Sequence, residues 1–260
     1  MFSVSDFESR RRGRFGAPLY YFEQLESTNV MAEQLAREGR PEGAVVLANE
    51  QTGGRGRKGN AWFSPADVNL YFSLVLRPGL PALRYLPYIA CLSVQTALAH
   101  CGIAADFKWP NDLVVRDRKI CGILIQTAME EQRLKYAIAG SGINVNVLEF
   151  PEELRGLATS AALEAGSGLS REALLASVLL EFERLYEKID ATGWEEFSAR
   201  LERTSTYLRG CPVKIVQDGE TVEGTTGGLD PFGGLKVATA GGEKIVYAGE
   251  VVSCRKKQQP

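Results

Sequence analysis

Hydrophobic positions change their spacing several times along this chain, and each change marks an element. The segment LYYFEQL (19–25) is rich in the aromatic residues that favour strands. STNVMAEQLAREG follows with helical spacing. Ser27 or Thr28 is placed to cap its N-terminus and Gly39 to stop it, while Val30, Met31 and Leu35, with Gln34 beside them, form the stripe expected to face a core. GAVVLANE (43–50) and NLYFSLVLR (69–77) predict two more strands, and residues 83–101 predict an amphipathic to buried helix stopped by Gly102. Strand-like runs at 105–109, 113–116, 119–127 and 134–147 are separated only by short polar turns containing PND, RDRK and MEEQ. A parallel crossover needs about a dozen residues, so these runs are expected to be antiparallel neighbours. Helical patterns near 170–190 and 194–205 follow.

After Gly210 the texture changes to about five short strands, punctuated by Asp230-Pro231-Phe232-Gly233-Gly234 and Gly241-Gly242. This predicts a small β-barrel over residues 210–256, of a size that leans on a larger neighbour. Residues 1–18 include SRRRGRFG, lack apolar periodicity and read as a flexible basic tail. The expected fold class is α+β: a catalytic or binding domain over 19–209 with a mostly antiparallel sheet, followed by the barrel.

Composition narrows the chemistry. With 260 residues and 45% hydrophobic content the chain can build a sizeable core, and a net charge of −2 argues against a general nucleic-acid binder. Five cysteines, an odd number with no C-x-x-C pair, suggest reduced thiols in a cytoplasmic protein. No signal peptide is recognisable, and the apolar window 86–104 holds Ser93, Gln95, Thr96 and His100, so it reads as a core helix rather than a membrane span. His100 is the only histidine and sits at a helix end. That argues against a Ser-His-Asp triad, a Cys-His pair and a His-rich metal site. Any chemistry must run on cations, carboxylates, amides and backbone.

The candidate for such chemistry is QTGGRGRKGNAW (51–62), in which four glycines interleave with Arg55, Arg57 and Lys58. GRGRKG fits G-x-G-x-x-G, but no helix follows it, and Gly59 precedes Asn60 rather than Lys-Ser/Thr; both a dinucleotide fold and a Walker A loop are rejected. Alone, the segment reads equally as a solvated Gly/Arg loop. Four further stretches have both a plain and a chemical reading. KWPNDL (108–113) is turn chemistry, yet it gathers a cation, an amide and the carboxylate of Asp112, which can hold a phosphate-bridging metal. RKICGIL (118–124) places Lys119 at a strand start, where an edge lysine also serves against aggregation. GSGINVN (140–146) permits close approach to a strand, or a bulge, and offers Asn144 to a ligand. In ESTN, Ser27 and Thr28 are ordinary caps or ligand contacts.

In their joint order these stretches resemble the biotin protein ligases, over about residues 19–254. The resemblance implies a catalytic domain similar to that of class II aminoacyl-tRNA synthetases and a Src-homology-type barrel. It implies formation of biotinyl-5′-adenylate from biotin and ATP, with Mg²⁺, and transfer of biotin to a lysine of a biotin carboxyl carrier protein. By this likeness Ser27, Thr28, Asn29 and Gln51 line the biotin head, and Gly54, Arg55, Gly56 and Arg57 wrap the acyl–phosphate junction. Lys119 and Gly122 hold the carboxyl end; Arg57, Trp62, Lys108, Asn111, Asp112 and Asn144 serve the nucleotide, with Asp112 at the metal. Arg55, Arg57 and Lys119 are the expected catalytic cations. One departure is Asn60-Ala61 before Trp62, where many bacterial members carry Arg-Lys, so no pyrophosphate role is carried to Asn60. With only about eighteen residues ahead of the first strand, a ligase that binds no DNA and does not repress transcription is expected. Exposed sheet edges leave room for a homodimer or for the carrier. The rivals are a lipoate or octanoate ligase or transferase, the latter using Cys121, and an RNA-binding module.

Overall fold

The computed structural model describes residues 1–217 and 219–254; residue 218 and the chain beyond 254, including the last two positions of the expected barrel, lie outside the described residues. The strands are β1 (Leu19–Leu25), β2 (Val45–Gln51), β3 (Leu70–Leu76), β4 (Asp106–Lys108), β5 (Asp112–Val115), β6 (Arg118–Glu130), β7 (Arg133–Ile143), β8 (Arg209–Gln217), β9 (Glu220–Leu229), β10 (Leu235–Thr239), β11 (Gly242–Val246) and β12 (Glu250–Cys254). The helices are α1 (Val4–Arg10), α2 (Thr28–Arg37), α3 (Leu80–Leu83), α4 (Leu86–His100), α5 (Ala161–Ala165) and α6 (Arg171–Thr204), the last broken at Gly193.

Seven strands form a mixed sheet in the order β1-β2-β3-β7-β6-β5-β4. Only β1 and β2 are parallel, and α2 makes the crossover between them. The short-linked strands β4 to β7 pair antiparallel in sequence order, as their connections require.

Strand alternation divides the sheet into two faces. On one, Val45, Leu47, Leu74, Leu76, Ala137 and Ala139 pack with α4 and α6 in the main core. On the other, Val46, Val75, Tyr136 and Ile138 pack under Ala32, Leu35 and Ala36 of α2. Further along that second face the β7 positions become Gly140 and Gly142, and the strand contributes no further large side chains there. A cleft opens at this point.

Two expectations fail. Residues 1–18 do not form a flexible tail. Ser3 caps α1 by accepting from the Asp6 amide, Phe7 and Phe15 are completely buried, and the Glu183 carboxylate accepts the amides of Arg14 and Phe15. Three phenylalanines at positions 2, 7 and 15 are too widely spaced to register as a period, yet all are buried. On α2, Val30 is exposed rather than inward. The buried side is Thr28, Asn29, Ala32, Leu35 and Ala36, because the first turn turns polar groups, not apolar ones, toward the sheet.

Beyond Arg209 the chain forms a five-stranded antiparallel sheet, β11-β10-β9-β8-β12. Its 230–234 turn docks on α4 and α6: Trp194 Nε1 donates to the Asp230 carbonyl at 2.8 Å, and Tyr85 and Trp194 stack at 4.6 Å. Cys91 and Cys121 are buried free thiols, Cys211 is buried, and Cys101 is a free thiol that is exposed.

Candidate active site

The cleft lies on the α2 face of the large sheet, and two glycine ranks make its floor. Ser73 of β3 pairs with Gly140, which pairs with Leu124; Tyr71 pairs with Gly142, which pairs with Gly122. A Cβ on Gly140 would stand 1.9 Å from Asn29 Oδ1, and one on Gly142 would stand 2.4 Å from the Trp62 indole. A Cβ on Gly122 would meet the same indole at 3.0 Å. No alanine fits at Gly140 or Gly142 without displacing its neighbour. These strand glycines therefore serve close approach by Asn29 and Trp62.

Around the first rank sits a polar socket. The Thr28 amide donates to Gln51 Oε1 at 2.9 Å, and Gln51 Nε2 donates to Ser64 Oγ at 3.1 Å. Ser73 Oγ lies 2.6 Å from Asn29 Oδ1 and 2.8 Å from Thr28 Oγ1, while Asn29 Nδ2 donates to Gln126 Oε1 at 2.7 Å. Ser27 is the N-cap residue by position, yet its hydroxyl makes no cap bond; it is buried and lines the cleft. Ser73 and Gln126 were not anticipated. A lone serine inside the apolar run LYFSLVL was the available signal for the first.

The other end is cationic. Arg55, Arg57, Lys58, Lys108 and Lys119 line the cleft, against a single carboxylate, Asp112. Residues 54–62 form a narrow hairpin: Trp62 N donates to the Gly54 carbonyl at 2.9 Å, Gly56 N to Asn60 O at 2.7 Å, and Arg55 bridges Ala61. Gly54 is not itself in the lining. Its open Cα lets Ser64 Oγ and the Trp62 carbonyl pack within 2.7 Å of where a Cβ would be. Gly56 does line the cleft. Arg57 Nη1 donates to Asn111 Oδ1 at 3.3 Å, and Asn111 Nδ2 is fixed on the Ile123 carbonyl at 2.6 Å. Arg55 is half exposed and pairs with Glu26.

Lys119 belongs to β6, between β5 and β7, so it is not an edge lysine. Its Nζ lies 2.8 Å from Asp112 Oδ1, outside hydrogen-bond geometry, and 5.2 Å from the centre of the Trp62 ring. The Trp62 Nε1 proton is buried without a partner among the described residues. Lys108 reaches over the Tyr207 ring at 5.7 Å.

Asn144, like Gly54, is a predicted contact that does not line the cleft. It is buried, and its Nδ2 donates to the Thr159 carbonyl at 3.1 Å, while the backbone of Thr159 also bonds Lys119. It stands behind the backbone of the lysine, outside the cleft lining. Cys121 is fully buried and its thiol is pushed well up by that burial, so it does not present a thiolate. Trp109, Ser141, Gly249 and Val251 also line the cleft, the last two from the C-terminal sheet.

Among the described residues no three metal-ligating side chains cluster, and no helix is long and apolar enough to cross a membrane. Comparison with known proteins places the architecture. Residues 21–144 match the Biotin/lipoate A/B protein ligase family and residues 210–252 the Biotin protein ligase C terminal domain. The Bifunctional ligase/repressor BirA of Bacillus subtilis is 34% identical over 91% of this chain and 74% of its own length. The Biotin--[acetyl-CoA-carboxylase] ligase of Paracoccus denitrificans is 32% identical over 88% of this chain and 97% of its own. The structure of the biotin protein ligase from Aquifex aeolicus in complex with biotin and ATP superposes with a TM-score of 0.79 at 32% identity, over 92% of this chain and 99% of that one. With relatives this similar over nearly its whole length, the chain belongs to the biotin protein ligase family.

Proposed function

We propose that the chain is an ATP-dependent biotin–protein ligase that makes biotinyl-5′-adenylate and passes biotin to a lysine of a biotin carboxyl carrier protein. The observation that carries this reading is the joining, in one glycine-floored cleft, of a neutral polar socket to five cations and one carboxylate. A ureido ring offers two N–H donors and a carbonyl, which suit the Ser27, Thr28, Asn29 and Gln51 socket. The cationic end suits a carboxylate meeting a triphosphate.

In the first step a biotin carboxylate oxygen bonds to the α-phosphorus and the bond to pyrophosphate breaks. The nucleophile is already ionised, so no base is required, in keeping with a cleft that contains no histidine. The reactants repel each other and the leaving group gains charge, so the contribution asked of the protein is electrostatic. Arg57, braced by Asn111, offers forked donors; Lys119 offers a compact charge at the middle of the cleft. Each charge-assisted bond contributes about 1.5–3 kcal/mol. Asp112 is a single carboxylate already facing Lys119, which fits a Mg²⁺ that arrives on the triphosphate and takes one protein oxygen rather than a resident metal. Such an ion would shield phosphate charge. In the second step the carrier amine attacks the acyl carbon, the mixed anhydride breaks and AMP leaves. The 54–62 hairpin and Trp62 cover the floor and exclude water from the anhydride meanwhile.

The large mixed sheet supports a catalytic domain similar to class II aminoacyl-tRNA synthetases, and the smaller sheet a Src-homology-type barrel. Free thiols and the use of ATP support a cytoplasmic setting. Burial of Cys121 disfavours the thiol-dependent transferase reading.

The test is biotin-dependent exchange of labelled pyrophosphate into ATP. Native protein should exchange with biotin and not with lipoate, and Arg55→Ala and Lys119→Ala should lose most of the rate. Exchange that ignores biotin would defeat the proposal; undiminished exchange in either variant would remove that residue from the site.

A further inference from the structure

The cationic corner is not held by the large sheet alone. Trp109 lies between Lys108 and the Asn111–Asp112 pair and forms part of the cleft wall. Its Nε1 donates to the Tyr88 hydroxyl at 3.3 Å. Tyr88, on α4, donates in turn to the carbonyl of Gly233 in the C-terminal turn. That turn is locked from within: the Asp230 carboxylate accepts the Phe232 amide at 2.9 Å, the Gly234 amide at 2.6 Å and the Tyr247 hydroxyl at 2.6 Å. Trp194 fixes it from outside, bonding the Asp230 carbonyl and meeting the Tyr88 ring edge-on at 4.9 Å. Gly233 has φ +85°, and a Cβ there would stand 3.0 Å from the Tyr88 ring, so the close approach requires glycine.

The same C-terminal sheet supplies Gly249 and Val251 to the cleft. Two walls of one site, on different sheets, are thus joined by a buried hydroxyl that bonds both. Burial disfavours ionisation of Tyr88, which keeps its proton available to Gly233. A buried donor and acceptor that both depend on one group are costly to orphan.

Resting on the ligase reading above, we propose that Tyr88 is a positioning residue for the nucleotide end of the cleft, aligning the Lys108–Asp112 corner with the C-terminal sheet through Trp109 and Gly233. It touches no substrate. Its effect should fall on the nucleotide and spare the biotin socket, whose partners lie on α2, β2, β3 and β6.

Tyr88→Phe keeps the ring and its packing and removes both hydrogen bonds. In pyrophosphate exchange with each substrate varied separately, KM for ATP should rise roughly 5- to 20-fold while KM for biotin stays within about twofold. Trp194→Phe loosens the same turn from its other side and should shift KM for ATP in the same direction by a smaller factor. The double variant should fall short of the product of the two. Calorimetric ATP binding reads the same shift without requiring turnover. Native protein that binds ATP but shows no biotin-dependent exchange would count against the ligase reading and leave Tyr88 tested by binding. Equal movement of both KM values, or a lower Tm with unchanged ATP affinity, would reduce Tyr88 to a packing residue and overturn the inference. Should Tyr88→Phe not fold, Trp194→Phe decides by the same readout.

Discussion

At one end of the cleft, Thr28, Asn29 and Ser73 are buried and bonded to one another over a glycine floor. At the other, the Arg55 side chain is 54% exposed and pairs with Glu26, itself 60% exposed. The two ends solve different problems. Neutral hydrogen-bonding groups discriminate only when their geometry is set beforehand, because a misplaced donor in a dry site leaves an unsatisfied partner. Charges act over longer distances and tolerate looser placement, so long cations on a hairpin can meet a phosphate without a rigid mould. The socket is therefore expected to be intolerant of shape change, and the cationic end intolerant of charge loss.

The largest effect should come from breaking the floor. Gly140→Ala puts a methyl 1.9 Å from Asn29 Oδ1, and overpacking of this kind costs about 1–3 kcal/mol. Biotin affinity by calorimetry should drop up to about 100-fold with ATP affinity nearly unchanged; equal loss of both would erase the distinction between the ends. Arg57→Ala tests the opposite pole. Exchange should slow about 10- to 100-fold, from loss of one charge-assisted interaction, with Tm unmoved. A stability loss instead would place Arg57 in the framework. Ser73→Ala removes one buried hydroxyl from the socket and should weaken biotin binding roughly 5- to 10-fold, sparing ATP.

Acid stability sharpens the comparison from beneath Lys119. Burial works to raise the Glu164 pKa, but the Thr159 hydroxyl and the guanidinium groups of Arg116 and Arg118 outweigh it, and the folded value lies below the ordinary 4.5. A lowered folded pKa gives stability that is complete above the unfolded value and lost as pH falls through the folded one. Thermal melts from pH 5 downward should decline less steeply in Glu164→Gln than in native protein. The smallest effect belongs to Glu26→Gln, which frees Arg55. An exposed pair contributes about 0–1 kcal/mol, so ATP affinity should improve by less than about fivefold and Tm should not move. A large gain would mean that Glu26 holds the loop shut.

Much of this site was legible in the chain. GRGRKG, KWPND and RKICG each carried residue types whose chemistry needs no tertiary information, and Ser27, Asn29, Gln51, Arg57, Asn111, Asp112 and Lys119 all line one cleft. Gly54 and Asn144 do not line it: an amide that faces a cleft and an amide that pins a loop look alike in sequence, and in the fold the Asn144 amide is turned to the Thr159 carbonyl. Ser73 and Tyr88 were invisible for a related reason. A serine in a strand and a tyrosine in a buried helix are unremarkable until their neighbours are known. The N-terminal segment was misjudged because three isolated phenylalanines anchor it, a pattern without a period.

The amino-acid sequence by itself determined where the strands and the longer helices lie, where the chain must turn back on itself, and how many cations and glycines are at hand, since these follow from contacts between near neighbours. The tertiary structure alone decided that Gly122 and Gly142 lie side by side beneath Trp62, that Asn29 settles on Gly140, and that a turn over a hundred residues away reaches the Lys108–Asp112 corner through Tyr88. Register between strands and contact between sheets depend on which distant surfaces bury each other, and no local pattern encodes that choice.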